Sequence, residues 1–263
     1  MTVLVFDIET VPDVVGGRRL WGLEHLKDAE VAAAMVRLRR QTANSDFLRH
    51  HLHRVVAISA VLAQDNQCRV WSLGAPDAPE KELIQRFFDG VARFKPTLVS
   101  WNGSGFDLPV LHYRGLIHGV SAPTYWDTGE GDAAFRYNNY LSRYHWRHVD
   151  VMDVLSGFQP RAAAPLDEIA TLLGLPGKMG MHGSKVWDCV QAGDIETVRN
   201  YCETDVLNTY LVYLRFAHMR GQLDDADFTR AEALLRTALQ EAGKAHLRAF
   251  LEAWTHRDPT PQP

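Results

Sequence analysis

Two acidic residues near the amino terminus, Asp7 and Glu9, are spaced by one residue and follow an apolar run. Residues two apart on an extended segment point to the same side, so both carboxylates face one place. The run at residues 3–6 predicts a strand buried in the middle of a parallel sheet, with Asp7 at its carboxyl end, where open α/β sheets bind ligands. Carboxylates held together at a buried strand end repel each other unless a cation neutralises them. The pair therefore indicates a divalent metal site; the alternative is that both residues only cap the next turn.

A third acidic residue, Asp107, follows a short apolar run at residues 97–101 and a loop that contains two glycines. The run predicts another buried strand, so Asp107 is also expected near a carboxyl end of the sheet. The alternative is that Asp107 is only the N-cap of a helix that begins at Leu108, with Pro109 in its first turn.

Tyr201 and Asp205 are four residues apart in a long helical pattern at residues 194–219, for which Asp194 is the expected N-cap. This spacing puts them on one helix face, beside the apolar stripe that should rest on the sheet. An aspartate on that side is costly without a charge to meet. Glu203 is rotated away from this face and is expected in solvent. For Tyr201 the alternative is a core aromatic residue with a satisfied hydroxyl.

The elements that must position these residues follow the order strand, hairpin, helix, strand. Residues 53–63 and 68–73 predict a β-hairpin with Asp65 and Asn66 in its turn, and residues 148–151 predict a fifth strand. The resulting fold class is α/β, with a mixed sheet. Helical patterns occur at residues 21–40, 79–94, 106–118, 165–173, 194–219, 224–240 and 241–254.

Length and charge limit the function classes. A chain of 263 residues fits one elaborated α/β domain, or one domain with a small helical annex, and a formal charge of −4 excludes a bulk polycation that binds nucleic acid through overall charge. The longest uncharged apolar run, residues 55–63, is too short to span a bilayer, and the amino terminus has no basic segment followed by an apolar one. We expect a cytoplasmic protein without a membrane partner. Three scattered cysteines predict neither a disulfide framework nor a thiolate zinc site.

Three sequence motifs together resemble a known family. FDIET at residues 6–10, NGSGFDLPVL at residues 102–111 and YCETD at residues 201–205 are similar to the three exonuclease motifs of the DEDD superfamily, whose fold is ribonuclease H-like. A tyrosine four residues before the last aspartate matches the tyrosine subclass, DEDDy; the histidine subclass would have histidine at the place of Asn200. NGSGFDLPVL and PLDEIATLLGLPGK also resemble the proofreading domains of family B DNA polymerases, and the chain is similar to a stand-alone bacterial group of predicted 3′–5′ exonucleases related to those domains.

The resemblance covers residues 2 to about 216 and implies a ribonuclease H-like mixed five-stranded sheet flanked by helices. It implies an exonuclease domain at residues 1–220 with a helical insertion at about 18–49, which the motifs do not explain. Residues 221–263 are expected to form a C-terminal helical annex that ends in a disordered tail at 258–263. No polymerase module is expected after the motifs.

The resemblance also implies a reaction, which is hydrolysis of single-stranded nucleic acid from its 3′ end, with DNA favoured, to nucleoside 5′-monophosphates. Two divalent cations, Mg²⁺ or Mn²⁺, are the implied cofactors, and carboxylates suit such hard ions. Asp7 would bridge the two ions, Glu9 and Asp205 would complete the site of the ion that activates water, and Asp107 would serve the second ion. Tyr201 is too weakly acidic to be an anionic base at pH 7, so it would orient the attacking water.

Further residues are candidates for substrate contacts. Residues 135–147 interleave aromatic and arginine side chains, as in platforms for single strands, although such aromatics also pack on a domain or form a dimer contact. The glycine-rich loop at residues 174–185 lacks the P-loop pattern and either brings a lysine to the phosphates or is a mobile connector. The candidates are Thr10, Asn102, Phe106, Tyr140, Arg143, Lys178 and Lys185.

Two smaller acidic and histidine groups are expected to have structural roles. Asp150 and Asp153 predict a helix N-cap and its partner in the first turn. His50, His51 and His53 have no complementary ligand set in the sequence, so we expect them in a solvated turn.

Two alternative functions remain open at this point. FDIET also resembles the Asp-x-Asp-x-Thr opening of haloacid dehalogenase phosphatases, in which the first aspartate is a nucleophile and the second a general acid. Glu9 in place of the second aspartate argues against that interpretation, as does the late helix with Tyr201 and Asp205. The other alternative is a catalytically silent nucleic-acid-binding module.

Overall fold

A mixed five-stranded sheet lies at the centre of the computed structural model, which describes residues 2–257. Its strands are β1 (Val3–Pro12), β2 (His53–Gln64), β3 (Gln67–Ser72), β4 (Thr97–Ser100) and β5 (His148–Asp150). The spatial order is β3-β2-β1-β4-β5; β1, β2 and β3 are antiparallel neighbours, whereas β4 and β5 run parallel to β1. The predicted mixed five-stranded sheet flanked by helices is confirmed.

Helices cover both faces of this sheet. The longer helices are α1 (Val14–Trp21), α2 (Asp28–Ala43), α3 (Glu80–Phe94), α4 (Asp107–His118), α9 (Ile195–Met219), α10 (Asp225–Ala242) and α11 (Ala245–Arg257). The short ones are α5 (Pro123–Trp126), α6 (Val151–Leu155), α7 (Leu166–Leu172) and α8 (Val186–Gln191). None of the helices within residues 2–257 is long and apolar enough to cross a bilayer.

The first strand is longer than the sequence predicted. β1 continues through Asp7 and Glu9 to Pro12 because β2 pairs with it along its whole length, apart from a register shift after Glu9. Its parallel pairing with β4 ends at Val5. Asp7 is therefore not at the end of the strand, as expected, but at the point where β1 loses its neighbour β4. That loss leaves one side of the strand open to other elements.

The predicted hairpin forms with a tight turn. β2 and β3 pair as far as Gln64 and Gln67, and the turn residues Asp65 and Asn66 have φ angles of 48° and 64°. Both residue types tolerate this left-handed conformation, which matches the right-handed twist of the flanking strands. The turn prediction is confirmed.

The helical pattern at residues 21–40 forms a helix only from Asp28 onwards, as α2, whereas a separate helix, α1, ends at Trp21. Asp13 begins α1 by accepting the Gly16 backbone N–H at 3.0 Å. α1 then ends at Gly22, whose φ of 65° is the left-handed conformation typical of glycine after a helix. α2 begins anew at Asp28, where Glu30 accepts the backbone N–H of Lys27 at 2.8 Å.

The long helix α9 lies across the sheet as predicted. Asp194 is its N-cap and accepts the Thr197 backbone N–H at 3.2 Å. The expected apolar stripe is buried and contains Val198, Cys202, Val206 and Tyr210. α9 therefore carries its polar residues into the interior next to β1.

The two C-terminal helices share a hydrophobic core with α9. Leu235 and Leu239 of α10 and Phe250 and Trp254 of α11 are fully buried in the same cluster as Val206. The tail at residues 258–263, expected to be disordered, lies outside the described residues.

The prediction that Glu203 faces solvent is wrong. Its side chain is 1% exposed and accepts hydrogen bonds from Ser72 Oγ at 2.9 Å, Lys244 Nζ at 2.8 Å and His246 Nε2 at 2.7 Å. These donors hold the pKa of the buried carboxyl down, to about 2. Lys244 lies between α10 and α11 and His246 lies in α11, so the periodicity of α9 alone could not place Glu203.

Candidate active site

Three side chains from β1 and α9 meet at the open side of the first strand. Each of Asp7, Glu9 and Cys202 offers one ligand atom, and these atoms lie within 4.8 Å of one another. Asp7 and Glu9 point to the same side, in agreement with their spacing in an extended strand. Cys202 is fully buried on α9, and its thiol donates to the backbone carbonyl of Asp7 at 3.4 Å and to its carboxylate at 3.5 Å.

Asp107 reaches the same place from the start of α4. Its side chain is 4% exposed and accepts the backbone N–H of Ile8 at 3.1 Å, so the carboxylate lies against β1 between Asp7 and Glu9. The N-cap position of α4 belongs to Phe106, and no side chain caps the helix there. Asp107 therefore does not serve as the cap of its own helix.

The loop between β4 and α4 is held by Asp150. The backbone amides of Asn102 and Ser104 donate to the two oxygens of its carboxylate at 2.9 Å and 2.8 Å. Asp150 is also the N-cap of α6 and accepts the Asp153 backbone N–H at 3.3 Å, which confirms the predicted N-cap. Its wider role is to fix the loop that leads to Asp107.

α9 contributes Tyr201 and Asp205, which are joined by a hydrogen bond between the phenol and the carboxylate. Burial, followed by the negative charge of Asp205, raises the pKa of Tyr201, so the phenol keeps its proton at neutral pH. A protonated phenol can donate one hydrogen bond and accept another.

Burial raises the pKa of all four carboxyl groups, and repulsion by the other carboxylates of the site adds to this rise for Asp7 and Glu9. For Asp7 the largest cause is loss of hydration, followed by the charges of Asp107, Glu9 and Asp205, and its pKa rises well above the ordinary value. The pKa of Glu9 rises in the same way, through burial and then the charges of Asp205 and Asp107. Burial raises the pKa of Asp107 to about 7 and that of Asp205 to about 6. Four carboxylates that destabilise one another in this way favour a bound cation.

The site opens to solvent through a cleft of about 230 Å³. Lys178, on the glycine-rich loop, lines this cleft, and its positive charge lowers the pKa of both Glu9 and Asp205. The other lining residues are Asp7, Trp101, Asn102, Pro165, Leu166, Asp167, Gly177, Tyr201, Asp205 and Asn208.

Two residues that the sequence analysis did not single out hold the glycine-rich loop at the cleft. Asn208 exchanges two hydrogen bonds with the backbone of Gly177, at 3.1 Å and 3.0 Å. Asp167 accepts the backbone N–H of Lys178 at 2.7 Å. The loop is therefore anchored at the cleft, which weighs against a mere mobile connector. Helical spacing could have indicated Asn208, because it follows Tyr201 by seven residues and so shares its face.

Some of the candidate substrate residues lie at the cleft or next to a site carboxylate in the chain, and others lie away from it. Asn102 and Lys178 line the cleft, Thr10 follows Glu9, and Phe106 precedes Asp107. The structure does not bring Lys185 to the cleft; it is exposed on the surface and 3.7 Å from Asp188.

The prediction of Tyr140 as a stacking residue is contradicted by its burial. Its ring is 2% exposed, and its hydroxyl donates to the carbonyl of Pro96 at 2.8 Å, so no base can reach the ring. Arg143 pairs with Asp153, with N–O distances of 2.7 Å and 2.6 Å, instead of facing a free strand. Both residues fit the alternative in which this stretch packs on its own domain. Their hydrogen-bond partners lie on other segments, which the local pattern could not reveal.

The donor set fits hard divalent cations. Asp7, Glu9, Asp107 and Asp205 supply carboxylate oxygens at one place, and burial together with neighbouring negative charges raises the pKa of Asp7 and Glu9. Carboxylate oxygens are the ligands that Mg²⁺ and Mn²⁺ prefer, and a cation would replace repulsion among the four groups by attraction.

Comparisons with known proteins include a family model that matches most of the chain. A family model described as "Predicted 3'-5' exonuclease related to the exonuclease domain of PolB" matches residues 45–254. The match includes Asp107, Tyr201 and Asp205, whereas Asp7 and Glu9 precede it.

Two curated relatives are catalytic subunits A of DNA polymerase epsilon. The Dictyostelium discoideum subunit is 25% identical over 142 residues, and the Saccharomyces cerevisiae subunit is 24% identical over 151 residues. Each alignment covers 53% of this chain but only 6% of the polymerase subunit. Among solved structures, the family B DNA polymerase of the hyperthermophilic archaeon Pyrobaculum calidifontis is similar with a TM-score of 0.48 and 17% identity, over 95% of this chain and 27% of that one.

Proposed function

This chain belongs to the family of predicted 3′–5′ exonucleases related to the exonuclease domain of PolB, with a ribonuclease H-like fold, and on that premise we propose that it is a two-metal 3′–5′ exonuclease. Its proposed substrate is single-stranded nucleic acid, with DNA favoured, and its proposed products are nucleoside 5′-monophosphates. The observation that carries the proposal is the convergence of four carboxylates from β1, α4 and α9 with a tyrosine at one cleft.

Asp7, Glu9, Asp107 and Asp205 are the residues that would hold two Mg²⁺ or Mn²⁺ ions. When bound, such ions supply activation of a water molecule and neutralisation of the charge on the leaving oxygen. The spread of the four carboxylates over one strand and two helices supports this assignment, because separate rigid elements hold a site more precisely than a single loop does.

Tyr201 supports the proposal through its hydrogen bond to Asp205 and its retained proton. The phenol donates to the carboxylate, and its oxygen remains able to accept a hydrogen bond from the attacking water. Tyr201 therefore orients the water instead of removing its proton. Lys178 adds a positive charge at the cleft that attracts the phosphates of a strand.

The test uses 5′-labelled DNA and RNA oligonucleotides of one sequence, both single-stranded and as duplexes. We expect Mg²⁺ or Mn²⁺ to produce a ladder that shortens one nucleotide at a time from the 3′ end of the single strand, and EDTA to abolish it. Absence of shortening with either cation would overturn the proposal. Hydrolysis of p-nitrophenyl phosphate without any degradation of DNA or RNA would also overturn it, in favour of a phosphatase.

A further inference from the structure

Four aromatic side chains form a continuous cluster beside the candidate site. Phe47, His50 and His53 come from the segment that follows α2, and Phe106 comes from the loop before α4. The ring centroids of Phe106 lie 5.3 Å from Phe47, 5.0 Å from His53 and 5.8 Å from His50, and Phe47 lies 5.2 Å from His53. We call these four residues the aromatic shelf.

The shelf is connected to the chain segments that carry two of the four carboxylates. Phe106 precedes Asp107 in the chain. His53 Nδ1 lies 2.9 Å from the hydroxyl of Thr10, which follows Glu9. The shelf therefore contacts or contains the residues that adjoin Glu9 and Asp107 in the chain.

The shelf is held rigidly by polar contacts of its own members. His53 is buried, contrary to the expected solvated turn; its Nε2 donates to the Leu48 carbonyl at 3.2 Å, so its Nδ1 accepts from Thr10. His50 Nε2 donates to the carbonyl of Gly105 at 2.8 Å and so ties the shelf to the loop of Asp107. These contacts hold the rings in place before any ligand arrives.

Phe47 is the exposed face of this rigid cluster. Its side chain is 55% exposed, although His53 and Phe106 pack against it. Arg49, two residues later, is also exposed and adds a positive charge to the same turn. Aromatic rings that stack bases, next to cations that meet phosphates, are the features of sites for single-stranded nucleic acid.

We propose that the aromatic shelf stacks one of the last three bases of the strand whose 3′ end enters the cleft, with Phe47 as the contacting ring. The identity of the ligand rests on the proposed exonuclease function. The inference gives the inserted segment a role, because Phe47, near its end, supplies the exposed ring next to a site that the motifs alone define. The ligand class is an unpaired nucleobase, of DNA or RNA.

The first test measures binding of a fluorescein-labelled single-stranded oligonucleotide by anisotropy, in EDTA so that no hydrolysis occurs. We expect Phe47→Ala to weaken binding by about 5- to 100-fold and Phe47→Tyr to remain within about 3-fold of the wild type, because a base stack on an aromatic ring accounts for a loss of that size. Phe47 is exposed, so thermal unfolding should show both variants to be folded. Trp126→Ala, at another exposed aromatic residue, is the matched control and should change binding by less than about 2-fold.

The second test places an abasic site at each of the last three nucleotides in turn. If Phe47 stacks a base, then the losses of binding free energy from removing that base and from removing the ring are not additive. Phe47→Ala then weakens binding little further for the one oligonucleotide that lacks the stacked base. Equal effects of Phe47→Ala on all three, or unchanged binding, would overturn the proposal. A loss with Trp126→Ala but not with Phe47→Ala would also overturn it. Because binding is measured without metal, it is independent of whether the wild type hydrolyses the strand.

Discussion

At the scale of single residues, the candidate site holds several buried carboxylates that repel one another. Two neighbouring groups, a thiol and an ammonium, partly offset this repulsion. Burial and neighbouring carboxylates raise the pKa of Asp7 and Glu9. The thiol of Cys202 lowers the pKa of Asp7 and the ammonium of Lys178 lowers that of Glu9. Neither of these two groups neutralises all four carboxylates. The repulsion that remains destabilises the folded state unless cations bind.

Tyr201→Phe tests the proposed role of the phenol. The variant loses the hydroxyl but keeps the ring, so we expect the hydrolysis rate to fall by about 10²-fold, the usual cost of removing one oriented polar group from a reaction site. The affinity for Mn²⁺, measured by calorimetry, should remain close to that of the wild type because all four carboxylates are retained. Tyr213→Phe, a buried residue of the same helix, is the control and should not alter the rate. A normal rate in Tyr201→Phe would exclude an orienting role.

The sequence could predict the candidate site residues where spacing within one element decides their direction. Asp7 and Glu9 share a side because a strand alternates, and Tyr201 and Asp205 share a face because a helix repeats every 3.6 residues. Glu203 could not be placed in this way, because its burial depends on Lys244 and His246, more than forty positions later. The same applies to Tyr140, whose partner is the carbonyl of Pro96.

At the scale of secondary structure elements, α4 is fixed to β1, to the residue that follows β1 and to α3. Near its start Asp107 accepts the backbone N–H of Ile8. One to two turns further along, Arg114 donates to the carboxylates of Asp13 at 2.5 Å and Glu80 at 2.5 Å. The side chains of all three charged residues are less than a tenth exposed. The network therefore joins α4 to the end of β1 and to α3.

Arg114→Met tests how much this ion-pair network contributes to the free energy of unfolding. The substitution keeps much of the side-chain volume but leaves two buried carboxylates without their cation, so we expect the free energy of unfolding to fall by about 3–5 kcal/mol. Urea denaturation measures this change. Arg86→Ala removes an exposed partner of Glu82 and should cost less than about 0.5 kcal/mol. A decrease in the free energy of unfolding of less than about 1 kcal/mol in Arg114→Met would contradict a stabilising role of this network.

Elements were predictable where local chemistry marks their ends. Asp65 and Asn66 marked the hairpin turn, and Asp194 marked the start of α9. Gly22 carried a similar signal for the end of α1, which the apolar periodicity at residues 21–40 obscured. The full length of β1 was not predictable, because its second half is extended through pairing with β2 rather than through its own apolar pattern.

At the scale of the whole molecule, histidines buried on the β4–β5 side of the sheet tie stability to pH. Burial lowers the pKa of His148 to about 4, against the opposing charge of Asp153 and with a small contribution from His112. His148 lies 2.8 Å from Ser100 Oγ and is almost inaccessible. Since the unfolded state binds this proton more readily, the stabilising contribution of the neutral ring is complete above about pH 6.5 and is lost as the pH falls towards 4.

His148→Gln removes this titration and keeps a polar group near Ser100. Between pH 7 and pH 4 we expect the free energy of unfolding of the wild type to fall by on the order of 3 kcal/mol more than that of the variant. The comparison of the two proteins is needed because the carboxylates of the candidate site titrate in the opposite sense. Urea denaturation at several pH values gives the difference, and parallel pH profiles would contradict the assignment.

The central claim is that Asp7 is part of a cation-dependent hydrolytic site, and the rate of release of nucleoside 5′-monophosphates by Asp7→Asn tests it most directly. We compare this variant with the wild type and with Asp65→Asn, the same change at the exposed hairpin turn, on a single-stranded oligonucleotide in Mn²⁺. The predicted result is a loss of at least about 10³-fold in Asp7→Asn only, with no loss of thermal stability because the substitution removes a repelled charge. Hydrolysis by Asp7→Asn at the rate of the wild type would contradict the account.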